Sequence, residues 1–357
     1  MKLYQRYLAR EVSGGILLVL SAFLALFAFF DMINEVKNVG QADYQFMDAF
    51  LFVALRLPGR VYELMPVAVL IGTLYSLASL ARHSEIAVLR ASGVSTKKLL
   101  LALFTVAFAF ACVTFAIGEF VMPFSERAAQ QLRIQERGKT IGQGLRSGVW
   151  LKDEQNIINI RVVLPGNHLK GIRIHSFGSG GKLLSIMDAM EGEYVSPATW
   201  QLKNVVQIFL EDERSRVVKL PGMQWKTALN PDILSVLIVS PERMSLSHLA
   251  AYTRHLGENG QSTQRYDIAM WKKLLYPLAA LVMVALALPF GYTHNRVSGV
   301  SLKIFSGVMI GVFFHMLNGL FSNLGAINSW SPFWSAVAPS ALFMLAAAGI
   351  ILWIERR

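Results

Sequence analysis

The sequence predicts an α-helical membrane protein with six transmembrane helices and an extracytoplasmic β-jellyroll inserted between helices 3 and 4. Three observations carry this expectation. Of 357 residues, 54% are hydrophobic and only 16% are charged, a composition that suits a bilayer better than a soluble core. Six uncharged runs are each long enough, at about 1.5 Å per residue, to cross a hydrocarbon layer of roughly 30 Å. Between the third and fourth runs, over Pro123–Asp267, long apolar stretches give way to short alternating ones.

The first run, Val12–Phe30, follows Lys2, Arg6 and Arg10. A cleaved leader is the alternative, but the run exceeds the usual apolar segment of about 7–15 residues and no Ala-x-Ala site follows, so it reads as a retained anchor. The other runs are Leu64–Ala81, Leu99–Gly118, Leu274–Thr293, Ile304–Asn323 and Phe333–Ile354. Short-loop charges orient them. The N-terminal tail, the Arg82–Lys98 loop, the Tyr292–Lys303 loop with Arg296 and the terminal Arg356-Arg357 share one side, while the Asn323–Trp330 loop is uncharged. The positive-inside rule therefore places both termini in the cytoplasm. Lys272 and Lys273 then fall outside, where they read as snorkelling anchors beside interfacial Trp271.

The insertion starts with a charged helical extension, Ser125–Arg137. Short strands follow at Val149–Leu151, Ile157–Val162, Ile172–Phe177, Glu193–Val195, Trp200–Leu202, Val205–Phe209 and Val217–Leu220, separated by Pro165-Gly166-Asn167, Gly178–Gly181 and Pro221-Gly222. Many short strands at such spacing indicate a sandwich or jelly roll. A helix over Ser245–Gly257 and a helical re-entry through Met270–Lys273 return the chain to the membrane. The chain thus divides into residues 1–124 with helices 1–3, a β-domain with helical connectors over 125–267, and helices 4–6 over 268–357.

Charge and motifs exclude several function classes. The net charge of +11 comes without a basic run interleaved with aromatics, so it points to lipid rather than nucleic acid. The single Cys112 permits no intrachain disulfide. Gly178–Leu183 lacks the first glycine and the hydroxyl of a phosphate-binding loop, and Gly142–Ser147 lacks the third glycine of a dinucleotide loop, so both read as turns. His248 and His255 stand two helical turns apart, too far to share a metal. No G-x-S-x-G elbow is present. The residues predict neither enzyme chemistry, nor a metal, nor a cofactor in this chain.

Three places remain as candidates. Arg82–Gly93 predicts a short helix with Gly93 as its stop; Ala87, Val88 and Ala91 lie on one side, Ile86 and Leu89 on the other, with Glu85 and Arg90 on the flanks. A helix apolar on two sides wants two covers, one being the spans of this chain and the other a separate soluble protein whose arginine could take the Glu85 carboxylate. An ordinary charged loop marking the cytoplasmic face is the plainer reading. In the fifth run Gly307, Gly311, His315 and Gly319 recur every fourth residue with Asn318 beside them, a stripe that permits close helix approach within the chain or between subunits. At the outer ends of the spans Asp31, Glu35, Lys37, Arg56, Arg60, Glu119, Arg127 and Arg133 gather, and the basic members could hold head-group phosphates or serve as interfacial anchors.

Several of these segments together carry a resemblance: Arg6-Tyr7-Leu8, the whole of Arg82–Gly93, Gly118-Glu119-Phe120-Val121-Met122-Pro123, Gly148–Asp153, Trp225–Asp232, and Tyr266 through Trp271-Lys272-Lys273 to Pro277. The chain resembles the LptF/LptG permease family of the lipopolysaccharide exporter over essentially its whole length, and its LptG branch most. The resemblance implies a non-enzymatic subunit of an ABC transporter that extracts lipopolysaccharide from the bacterial inner membrane. Implied partners are a homologous LptF-type permease, an LptB-type ATPase dimer that holds the ATP and Mg, an LptC-type single-span protein and an LptA-type periplasmic bridge. It further implies that Arg82, Glu85, Leu89, Arg90, Ser92 and Gly93 form the coupling helix, that the β-domain is periplasmic, and that the first and fifth spans are lateral gates packed through Gly307, Gly311, His315 and Gly319. Lys37, Arg60 and Arg133 are the implied substrate contacts, although Asp31 and Asn38 stand where relatives can have lysine, and Gly59 precedes Arg60 where a basic residue can sit. The rival classes are a mechanotransmission or lipoprotein-release permease, usually with four spans, and a membrane enzyme acting on lipid head groups.

Overall fold

The computed structural model describes residues 3–41, 44–137, 149–164, 168–178, 180–196, 199–210, 214–227, 240–292 and 300–355. The helices are α1 (Leu3–Val36), α2 (Phe46–Arg82), α3 (Glu85–Ala91), α4 (Thr96–Ala116), α5 (Met122–Arg137), α6 (Leu246–Glu258), α7 (Gln264–Leu275), α8 (Ala279–Tyr292), α9 (Val300–Ile327) and α10 (Pro332–Glu355). A π-helical turn, Ile117–Val121, joins α4 to α5, and a 3₁₀ turn, Tyr276–Leu278, joins α7 to α8 at Pro277. Among the described residues six helical units are long and apolar enough to cross a membrane: α1, α2, α4 running into α5, α7 running into α8, α9 and α10.

Burial sorts these units into inner and outer helices. α8 and the Leu64–Ala81 part of α2 are apolar on every side and fill the centre of the bundle, with Leu70, Leu74, Leu77, Met283, Val284 and Ala287 buried. In contrast, α1, α9 and α10 bury one stripe each and leave Leu17, Leu18, Phe29, Phe305, Met309, Leu345 and Leu352 exposed, the surface that lipid would cover. α2 begins eighteen residues before the run read from the sequence, because Phe46–Glu63 carries Asp48, Arg56 and Arg60 on a helix started by the Gln45 N–H bonded to the Asp48 carboxylate at 2.7 Å. The bundle is tight where glycine allows it: a Cβ on Gly72 would lie 2.5 Å from the Cα of Ile16.

The β-domain lies between the third and fourth spans as expected, and over the described residues it is one six-stranded antiparallel sheet whose strands pair in sequence order. They are β1 (Val149–Asp153), β2 (Asn156–Leu164), β3 (His168–Phe177), β4 (Leu183–Ser196), β5 (Thr199–Leu210) and β6 (Ser215–Lys226). One face buries Ile158, Ile160, Leu169, Ile172, Ile174, Trp200, Leu202, Val205 and Trp225. The Gly178–Lys182 turn closes β3 onto β4, with the Gly178 N–H bonded to the Lys182 carbonyl at 2.9 Å and Gly181 at φ +74°, so it is a hairpin turn as the sequence suggested.

Several boundaries differ from expectation: β4 begins at Leu183, ten residues before the expected Glu193–Val195, and β3 at His168, four before Ile172. Trp200–Leu202 and Val205–Phe209 form one strand, continuous through Asn204 in the left-handed region at φ +53°. Pro221-Gly222 does not end β6: among the described residues β6 lies at the edge of the sheet, where a proline is tolerated. The readings of Gly142–Ser147, Pro165–Asn167, Arg296 and Arg356-Arg357 lie outside the described residues.

Candidate functional site

The short helix α3 sits between the C-terminal end of α2 and the N-terminal end of α4. α2 ends in a bond from the His83 N–H to the Ser79 carbonyl, and Ser84 at φ +62° turns the chain sharply into α3. α3 stops in a paired motif: Gly93 at φ +85° donates to the Arg90 carbonyl and Val94 to the Leu89 carbonyl. Ile86 is buried in the bundle and Leu89 is half-buried, whereas Arg82, Ala87, Val88, Arg90, Ala91, Ser92 and Gly93 are exposed. One apolar side is therefore covered by the chain's own helices, and the side with Val88 is not. The Glu85 carboxylate receives a 2.7 Å hydrogen bond from the Tyr7 hydroxyl of α1, a partner that the sequence pattern did not single out.

The opposite end of α2 meets α5, where Phe52, Val53 and Ala129 are buried together, and α5 leads into the β-domain. α3 and the start of the β-domain thus lie at opposite ends of a helix of 37 residues, about 55 Å at 1.5 Å per residue. That end holds the charged residues gathered from the sequence. Arg60 makes a bidentate pair with Asp31 at 2.8 and 3.0 Å and a 3.3 Å contact with Glu63. Arg133 donates to Glu35 at 2.6 Å, and Glu35, itself buried, also accepts from Tyr44 at 3.1 Å and Asn38 at 3.3 Å. Arg56 and Arg133 bracket the ring of Phe52 at 5.6 and 4.3 Å. Lys37 is exposed. Of the three basic residues expected to face substrate, Arg60 and Arg133 are thus paired to carboxylates on α1.

A second set of ion pairs fastens the chain returning from the β-domain. Arg243 bridges Glu63 at 3.1 Å and Glu126 at 2.8 Å. Glu119, carried on the π-helical turn, accepts the Leu246 N–H at 3.0 Å and so caps α6. Lys273 is buried, donates to the Met244 carbonyl and lies 3.6 Å from Glu119. This corrects the snorkelling reading of Lys273: a carboxylate from another span meets it inside, so it has no reason to reach for water. Gly118 lets the ring of Tyr62 lie against the π-helical turn, where a Cβ would stand 2.6 Å from it.

The stripe in α9 divides in two. Gly307 faces Leu74 and Gly311 faces Val67, both on α2, while His315, Asn318 and Gly319 line a cavity of about 280 Å³ with Tyr62, Lys272, Lys273 and Tyr276. The Gly307–Gly311 part is packing within the chain, and the His315–Gly319 part lines the cavity.

Comparison with known proteins follows the same architecture. The family described as lipopolysaccharide export system permease LptF/LptG matches residues 6–354. The lipopolysaccharide export system permease protein LptG of Escherichia coli strain K12 is 30% identical over 358 residues, covering 99% of this chain and 97% of that protein. Its counterpart of the same name in Haemophilus influenzae is 27% identical over 353 residues, covering 99% and 98%.

Proposed function

Because this chain belongs to the lipopolysaccharide export system permease LptF/LptG family, we propose that it is the LptG-type subunit that draws lipopolysaccharide out of the inner membrane toward a periplasmic bridge. It works as a multi-pass permease rather than an enzyme. ATP and its Mg belong to a separate LptB-type ATPase dimer, and an LptF-type permease, an LptC-type helix and an LptA-type bridge complete the assembly. Both termini face the cytoplasm and the sheet faces the periplasm.

The observation that carries this reading is α3. It is a seven-residue helix with Ile86 buried in the bundle and Val88 and Arg90 exposed, at the end of α2 remote from the sheet. A rigid helix held on one face and open on the other suits a lever for a soluble motor, whose two nucleotide states would displace it. Arg82, Glu85, Leu89, Arg90, Ser92 and Gly93 form that lever. Arg60 and Arg133, paired to carboxylates on α1, are proposed as substrate contacts that would exchange carboxylate for phosphate, and the exposed Lys37 as a third contact.

The test is purification of the chain in mild detergent with its co-expressed partners, followed by ATP-driven release of lipopolysaccharide from proteoliposomes. The ATPase and a second six-span permease are expected to co-purify, and Glu85→Ala is expected to weaken ATPase retention and release together. Retention and release equal to wild type in that variant would overturn the role given to α3.

A further inference from the structure

Glu85 is held by α1 across 78 residues of chain: the Tyr7 hydroxyl donates to its Oε2 at 2.7 Å. α1 is in turn fastened to α2 along its length. Leu8, Val12, Ile16 and Leu20 form a stripe buried at every fourth residue. The Ser76 hydroxyl donates to the Glu11 carbonyl at 3.1 Å, Gly15 and Gly72 are in backbone contact, and Asp31 and Arg60 close the outer end. Two residues, His83 and Ser84, separate α2 from α3. α3 is therefore joined to α2 through the backbone, to the bundle core through the buried Ile86, and to α1 through the Tyr7–Glu85 bond.

That bond has a directional effect. Glu85 is the first residue of α3 and only half-buried, so its carboxylate would otherwise sample several rotamers. A phenol bound to one oxygen restricts the rotamers of the side chain and leaves the other oxygen to take a donor from outside, which lowers the ordering cost of that contact. We propose that Tyr7 is a positioning residue for motor coupling: by holding Oε2 of Glu85 it aims Oε1 at a cationic group of the ATPase and makes α1 follow α3. The inference rests on the reading of α3 as the coupling helix.

The experiment is a double-mutant cycle in the reconstituted full complex, with Tyr7→Phe, Glu85→Ala and both together. Its readouts are the ATPase concentration giving half-maximal association, lipopolysaccharide released per ATP, and melting temperature. Tyr7→Phe keeps the ring and its packing, so the melting temperature is expected to stay at wild type. The half-maximal concentration is expected to rise about three- to tenfold, the span of one lost hydrogen bond, and Tyr7→Phe is expected to add nothing in the Glu85→Ala background. Wild-type association for Tyr7→Phe while Glu85→Ala impairs it overturns this inference and leaves the coupling reading intact. Effects that multiply independently overturn it as well. Wild-type behaviour of Glu85→Ala overturns the coupling reading and this inference with it.

Discussion

Gly15 of α1 and Gly72 of α2 meet backbone to backbone: a Cβ on Gly15 would stand 2.8 Å from the Gly72 carbonyl oxygen, and one on Gly72 2.6 Å from the Ile16 nitrogen. In lipid, where apolar surfaces gain little by meeting each other, such close approach supplies the packing that holds helices together. It makes α1 and α2 one mechanical unit at the level of the bundle core.

Gly72→Ala is accordingly expected to force the two helices apart and to cost about 1–3 kcal/mol, the range for overpacking a tight interface. Gly14→Ala, with nothing within 4 Å of the new methyl, is expected to leave stability unchanged or slightly raised. Melting temperatures in one detergent compare the two, and equal values would remove the close-contact argument.

Lys273 and Glu119 form a buried pair between the fourth and third spans, with side-chain exposures of 3% and 14%. Removing one partner strands the other, so Lys273→Met is expected to destabilise by about 2–4 kcal/mol. Adding Glu119→Gln is expected to cost less than it does alone. A thermal-denaturation cycle over the four proteins checks this, and strict additivity would show that the two do not interact.

The outer clasp of Glu35 and Arg133 contrasts with a surface pair in the sheet. Glu35 is 5% exposed and accepts from three side chains, so Glu35→Ala is expected to cost about 2–3 kcal/mol, below the full value for a buried pair because Arg133 is one-third exposed. Asp188→Ala breaks the Arg173 pair, half-exposed on both sides, and is expected to stay within about 1 kcal/mol. The pairing with Asp188 raises the Arg173 guanidinium pKa above its ordinary value, so this arginine stays charged at any pH used for the measurement.

The two halves of the α9 stripe are expected to respond differently. Gly311→Ala places a methyl 2.7 Å from Val67 and is expected to loosen α9 from α2, with a fall in melting temperature. Gly319→Ala meets nothing within 4 Å and lines the cavity, so stability is expected to hold. A fall in lipopolysaccharide release for Gly319→Ala without loss of stability would assign the cavity to transport, and equal loss of stability in both variants would contradict the division.

The proposed sidedness is open to a labelling test. In a Cys112→Ser background, Met190→Cys in the sheet is expected to react with a membrane-impermeant maleimide added outside intact cells, and Arg90→Cys only after permeabilisation. Both residues are exposed. Reaction of both from one side would place α3 beyond reach of a cytoplasmic motor.

Legibility followed the range of the physics involved. Runs such as Leu99–Gly118, the hairpin glycines at 178–181 and the two faces of α3 are local matters of hydropathy, turn chemistry and helical period, and the structure contains them where the residues suggested. The start of α2 was obscured by Arg56 and Arg60; the charge of Arg60 is answered by Asp31 from α1 and by Glu63 one turn further along α2. β5 was read as two pieces because a left-handed Asn204 is indistinguishable, in sequence, from a turn.

The sequence by itself determined six spans, an inserted strand-rich domain and a short two-faced helix, because each depends on neighbours a few residues away. Only the tertiary structure decided which charges are answered: Lys273 by Glu119, Arg133 by Glu35, and Glu85 by Tyr7. Each of these pairs joins groups 78 to 154 residues apart in the chain, and a carboxylate's role in a membrane protein depends on the partner that folding brings within about 3 Å of it.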